Sequence, residues 1–223
     1  MTIFSFYTFQ LSLYGHSIID IIDRLPIIYS PIRLTYLIFA LVLISLGYYC
    51  ITAFRKHITL IQTLLFFINA LLQIVAVYYW YNEMPMYALL ALIMLLIGIF
   101  VFYITFSLNE QCIKRRIPIA SWFSWTIFFT LITFNYNMVA YEWSGFNLSD
   151  GLWAVILLTI GAAIALHLRY HYFDRVSPFI FIIGYLGIII SNGFKELFVS
   201  TAALFLIGVL VVGLYFFKKK SIH

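Results

Sequence analysis

The sequence predicts an all-α protein, a polytopic transmembrane helix bundle of seven spans preceded by a short apolar segment. Three observations predict it. Of the 223 residues, 65% are hydrophobic and 9% charged, with a mean hydropathy of +1.05. Soluble domains carry roughly 25% charged residues, so this composition cannot make a water-facing surface. Apolar runs near the length that crosses a hydrocarbon core as a helix recur along the chain, and basic residues cluster in alternate connections between them.

Residues 1–32 come first. The apolar run Met1–Tyr14 would reach only about 21 Å as a helix, short of the roughly 30 Å core. It therefore reads as an interfacial or partly inserted segment on the outer side. Pro26 and Pro31 then interrupt helix and make an extended, surface-lying approach to the first span. No cleavable leader is evident, because Met1–Gly15 has no basic stretch and no small-residue cleavage site.

The first span runs over about Leu34–Phe54 and stops at Arg55, Lys56 and His57. The second, Ile58–Trp80, ends in Tyr78, Tyr79, Trp80 and Tyr81, an interfacial aromatic cluster. A turn over 82–85 leads to the third, Met86–Leu108. Lys114, Arg115 and Arg116 precede Pro118, which suits the first turn of the fourth span. A polar loop from Glu142 to Asp150 joins this to a fifth span, Leu152–Leu168. Asp174 and Arg175 precede a shorter sixth, Pro178–Ser191. The seventh, Leu197–Phe217, is closed by three lysines, Lys218, Lys219 and Lys220.

Ten of the thirteen Lys and Arg residues lie in one set of connections: Arg55 and Lys56; Lys114, Arg115 and Arg116; Arg169 and Arg175; and the terminal lysines. The other set holds Arg24, Arg33 and Lys195. The positive-inside rule then predicts a cytoplasmic C-terminus and an outer loop at 15–32, and the expected location is the cell (plasma) membrane. The net charge of +5 follows from the same rule, and nucleic acid need not be invoked. Cys50 and Cys112 fall on the cytoplasmic side without a CxxC or metal-binding context, so neither disulfide nor metal ligation is expected.

The stretch from Pro118 to Asn137 is the most informative. At about 100° per residue, Thr126, Thr130, Thr133 and Asn137 fall on one stripe, with Trp122, Trp125, Phe129 and Tyr136 on the adjoining one. Facing other helices, they could line a slot with one aromatic and one hydrogen-bonding wall, or simply glue this helix to its neighbours. In the second span Gln62, Asn69 and Gln73 share a face. Amides in hydrocarbon need partners, and the threonine stripe is the obvious one. The same amides could orient a ligand or make interhelical bonds alone.

Mid-span Asp, Glu, Lys and Arg are missing, which argues against proton pumps, ion exchangers and voltage sensors. Lys195 sits in a loop, unlike a retinal-bearing lysine. His167 and His171 are four apart, but no HExxH glutamate or third ligand accompanies them. No serine lies in a GxSxG setting. No enzyme is expected, and no cofactor or metal. Gly161 with Ala165, and Gly184 with Gly187, read as close helix packing.

The order of Asp23-Arg24-Leu25-Pro26 and Ser30-Pro31, then Asn69, then Pro118 with Trp122 and Trp125, then Trp143-Ser-Gly-Phe-Asn-Leu-Ser and Trp153, resembles the tryptophan-rich sensory protein (TspO, or translocator protein) family. It is most similar to longer bacterial relatives with helices added after the five-helix unit. The resemblance implies a TspO-like unit over 33–141, additional helices over 142–217 and a basic cytoplasmic tail at 218–223. It also implies a pocket for tetrapyrrole-like, sterol-like or aromatic ligands. Phe39 stands where the family's first span after the loop commonly has tryptophan, Gln73 where its second span does, and Thr133 where long relatives tend to have asparagine.

The leading expectation is thus a membrane receptor or translocator holding a flat apolar ligand with Trp122, Trp125, Phe129, Thr126, Thr133, Asn69 and Gln73. The competing one is an accessory or assembly subunit docking on a membrane-protein partner or a second copy. A receptor should show a cavity lined by Trp122, Trp125, Asn69 and Gln73; an accessory subunit should pack them dry or expose them laterally.

Overall fold

The computed structural model describes residues 17–55, 59–106, 110–143 and 145–216, and of 53–55 and 110–115 the backbone alone. The Met1–Tyr14 run, the side chain of Cys112 and the terminal lysines lie outside the described residues. In chain order the helices are α1 (Ile18–Ile22), α2 (Leu37–Arg55), α3 (Leu60–Tyr81), α4 (Pro85–Ile104), α5 (Glu110–Ala140), α6 (Asp150–Tyr172), α7 (Val176–Asn192) and α8 (Leu197–Phe216). Six of them contain stretches long and apolar enough to cross a membrane, and α7 is a shorter apolar helix of 17 residues.

Local chemistry explains the boundaries. Ser17 and Asp20 form a reciprocal capping box on α1. Thr59 and Ser149 cap α3 and α6 through the backbone N–H groups of Gln62 and Leu152. Pro85 opens α4 at a position where its missing N–H costs nothing. The expectation for Pro118 is corrected: α5 begins at Glu110, so this proline lies inside a 31-residue helix. The ring removes one backbone bond in the first third of the helix.

α5 is the central helix. Of its membrane-crossing stretch 83% is buried, against 22–44% for the other five. It packs directly on α2, α4, α6 and α7, while α3 lies closest to α4 and α8 leans on α6 and α7. Helices in lipid gain little from hiding apolar surface, so close approach decides which faces meet. A Cβ on Gly184 would stand 2.6 Å from the Phe128 ring of α5, and one on Gly161 would stand 2.6 Å from Phe181 of α7. Leu64, Phe67 and Leu71 on α3, and Leu204 and Phe205 on α8, are exposed and form lipid-facing surface.

The approach to α2 does not lie on the surface. Ile27, Tyr29, Ser30 and Pro31 are buried, with Tyr29 fully so. The backbone N–H of Tyr29 donates to Asn135 Oδ1 on α5 (3.4 Å), Ile32 N–H to the Gly187 carbonyl on α7 (3.1 Å), and Asn192 Nδ2 to the Ile28 carbonyl (2.8 Å). Interrupted by prolines, this segment satisfies only part of its own backbone, through turns such as Ile27 N–H to Leu25 and Ser30 N–H to Ile27, and side chains and carbonyls at one end of the bundle supply the bonds above. Arg24 pairs with Glu83 in the α3–α4 turn at 2.7 Å, and Arg33 with Asp20 and Asp23 at 3.0 and 2.7 Å.

Candidate functional site

α3 and α5 approach each other through long side chains more than through backbone. Trp122 Nε1 donates to Gln73 Oε1 at 3.1 Å, and Trp80 Nε1 donates to Thr133 Oγ1 at 3.3 Å. Between these two bridges lies a cavity of about 10 Å³, roughly the space of one water molecule. α3 lines it with Gln73, Ala76, Val77 and Trp80, and α5 with Trp125, Thr126 and Phe129. Phe39 of α2 and Ile18 of α1 close it toward the loop end, and Leu92 of α4 completes the wall.

One wall is a run of aromatic faces. Trp125 stacks on Phe39 (centroids 6.0 Å apart, planes at 27°) and on Phe129 (6.3 Å, 13°), with the Tyr36 ring edge-on at 6.1 Å. Offset stacking of this kind suits the ring quadrupoles and holds the three faces nearly parallel. The Trp125 side chain is 2% exposed.

The sequence-predicted residues separate into two groups. Trp125, Phe129, Thr126 and Gln73 meet at the cavity. Trp122 is buried one turn away, its N–H engaged by Gln73 and its ring edge-on to Phe66 at 6.1 Å. Thr133 sits behind Trp80. Asn69 points elsewhere: its Nδ2 donates to the Leu65 carbonyl at 2.8 Å, and its Oδ1 would stand 2.1 Å from a Cβ on Gly98. The expectation that the whole amide face meets the fourth span is therefore corrected. Gln73 meets it, whereas Asn69 packs on α4 and Gln62 reaches Thr105 at the end of α4 (3.3 Å). Gly98 draws α4 against α3 at Asn69, which turns that amide away from α5.

The threonine stripe is also turned inward. Thr126, Thr130 and Thr133 donate to the carbonyls four residues back, Trp122, Thr126 and Phe129, at 2.8, 2.6 and 2.9 Å. Such back-bonding satisfies a hydroxyl within its own helix and leaves it an acceptor. Thr133 uses that capacity for Trp80.

Trp80 is the site residue the sequence reading missed. It is 1% exposed, packed on Phe129 and Tyr136 at 5.9 and 5.0 Å, and not interfacial. Its spacing of seven from Gln73 puts both on one helix face, the signal that could have found it. Trp143 and Trp153, positions that carry part of the family resemblance, form a separate knot at the α5–α6 loop: their rings lie 5.4 Å apart, and Trp153 Nε1 donates to the Gly145 carbonyl at 2.9 Å. Gly145 has φ +55°, and a Cβ there would stand 2.5 Å from that indole nitrogen. The His167 and His171 rings lie 4.4 Å apart with their planes tilted by 41°; among the described residues, no cluster of three metal-ligating side chains occurs.

Fold and site together define a multi-pass helical membrane protein built round one buried, tryptophan-bearing helix. The family model described as TSPO-like protein matches residues 1–216, and the chain belongs to that family. Comparison with curated proteins and with solved structures found no match.

Proposed function

We propose that the chain is a non-enzymatic membrane receptor or translocator that admits a flat, apolar ligand, tetrapyrrole- or sterol-like, between α2, α3 and α5. The observation that carries this reading is the parallel aromatic run Phe39–Trp125–Phe129 beside the side-chain-bridged gap between α3 and α5. Broad π-faces there can stack on a planar molecule, while Gln73 and Thr126 offer hydrogen bonds to its rim without a formal charge in the bilayer. At about 10 Å³ the gap is too small for such a molecule, so binding requires the helices that wall it to part. Ligand then selects the open arrangement by its differential affinity. The cation distribution supports a cytoplasmic C-terminus in the plasma membrane, with the gap facing outward.

A near-dry gap also favours the second reading, an accessory subunit whose aromatic core is structural and whose lateral surface meets a partner or a second copy. Titration of purified protein with protoporphyrin IX, followed by tryptophan fluorescence, separates the two. Saturable quenching that is weakened by Trp125→Ala supports the receptor. Failure of the parent protein to bind either protoporphyrin or a sterol overturns it in favour of the accessory subunit.

A further inference from the structure

At the end of the bundle opposite α1, two arginines are buried. Arg116 of α5 is 2% exposed and Arg169 of α6 is 1% exposed. Neither forms an ion pair with a carboxylate among the described residues. Instead both serve backbone carbonyls at helix C-termini: Arg116 Nη2 donates to Tyr172, and Arg169 donates to Phe173 (3.4 Å) and to Leu214 of α8 (3.1 Å). Because Tyr172 and Phe173 are consecutive, the two guanidiniums belong to one cluster. The Arg116 guanidinium also lies 4.4 Å from the centre of the Tyr103 ring and 6.0 Å from that of Tyr172.

Two buried guanidinium nitrogens in this cluster have no partner, Arg116 Nη1 and Arg169 Nε, and the Tyr103 hydroxyl beside them faces Asp174. The nearby carboxylate, Asp174, is committed to its own turn, accepting from Val176 N–H (2.8 Å) and from the Ser177 hydroxyl (2.6 Å). Carbonyls supply partial negative charge only, so two full positive charges face one carboxylate in a water-poor setting. The turn above them is strained: Phe173 adopts a left-handed conformation (φ 54°), which a bulky residue rarely takes.

We infer that this cluster is a binding site for a phosphate group. A phosphate brings negative charge and oxygen acceptors, the two things the cluster lacks, and planar guanidiniums suit it. If the cation distribution sets the orientation, the site lies at the cytoplasmic boundary, where anionic headgroups concentrate. The strained 172–175 turn covers it and gives way on entry. The group could be an anionic phospholipid headgroup or a soluble phosphate.

The test uses the full-length protein in neutral phosphatidylcholine nanodiscs, with thermal unfolding as the readout. Replacing a fraction of the lipid by phosphatidylglycerol is expected to raise Tm by roughly 4 °C, with inorganic phosphate as the second arm. A response to phosphatidylglycerol alone identifies a headgroup site, and a response to inorganic phosphate identifies a soluble source; either supports the inference. Arg116→Gln and Arg169→Gln should each remove most of the shift, while Arg175→Gln, at an exposed position, should keep it. Should both buried variants fail to fold, Tyr103→Phe takes their place, with bound phosphatidylglycerol counted by native mass spectrometry and expected to fall about threefold. No response to either phosphate source in the parent, an undiminished response in folded Arg116→Gln and Arg169→Gln proteins, or undiminished lipid retention in Tyr103→Phe, overturns it.

Discussion

Single side chains at this site do two jobs at once, and their hydrogen-bond accounts show which one dominates. Trp122 spends its N–H on Gln73, so its loss should be felt first in folding. Trp125 presents stacked faces at the cavity. Trp125→Ala is expected to weaken protoporphyrin binding at least tenfold, about 1.4 kcal/mol, while Trp143→Ala leaves affinity nearly unchanged. Fluorescence titration of folded, monodisperse variants measures the difference. Glycines act at the same scale. Gly184→Ala drives a methyl into the Phe128 ring and should cost about 1–3 kcal/mol, read as a lower Tm in detergent. Gly208→Ala, which meets nothing within 4 Å, should leave Tm unchanged or slightly higher.

Among the elements, α1 carries a titratable cap. Its cap holds Asp20 below the usual carboxylate range, chiefly through the Ser17 backbone N–H, then the Ser17 hydroxyl, with Arg33 assisting. A carboxylate whose folded pKa is lowered stabilises above its ordinary value and loses that contribution as pH falls through the folded value. The stability advantage of the parent over Asp20→Asn should therefore be full at pH 6 and shrink below about pH 4. Acid unfolding monitored by circular dichroism follows it, and an advantage that grows toward low pH would contradict the cap. Since Asp20 is partly exposed to solvent, the advantage is small. The Arg24–Glu83 pair is likewise exposed, and Glu83→Gln should shift stability by no more than about 1 kcal/mol.

At the scale of the molecule, α5 organises everything else, and the cation distribution predicts its orientation. Cysteines placed at Asn147 and at Ser221 should label asymmetrically in intact cells: an impermeant thiol reagent modifies the first and spares the second. Equal labelling would reject a cytoplasmic C-terminus. The two ends also treat their cations differently. Near α1, Arg24 and Arg33 pair with acids in water, whereas at the opposite end Arg116 and Arg169 are buried on backbone carbonyls. That contrast makes the two ends electrostatically unlike.

By itself the sequence determined the class, the span order and the central place of the 118–137 stretch. Each rests on a one-dimensional property: apolar length set by bilayer thickness, cation segregation, and helical periodicity. It also carried the family, through aromatic and proline positions strung along the chain, and four of the ten residues that line the cavity, since Trp125, Phe129, Thr126 and Gln73 were legible from their stripes. Only the tertiary structure decided where each polar face turns. Asn69 and Gln73 share a helix face, yet Gly98 draws α4 against one while Trp122 of α5 takes the other. Trp80 looked interfacial beside three tyrosines, until the approach of α5 buried it against Thr133 and Phe129. Arg169 looked like a loop cation, until α8 brought the Leu214 carbonyl to it. Periodicity says which residues share a face; which neighbour that face meets depends on contacts between distant segments, and those exist only once the helices pack.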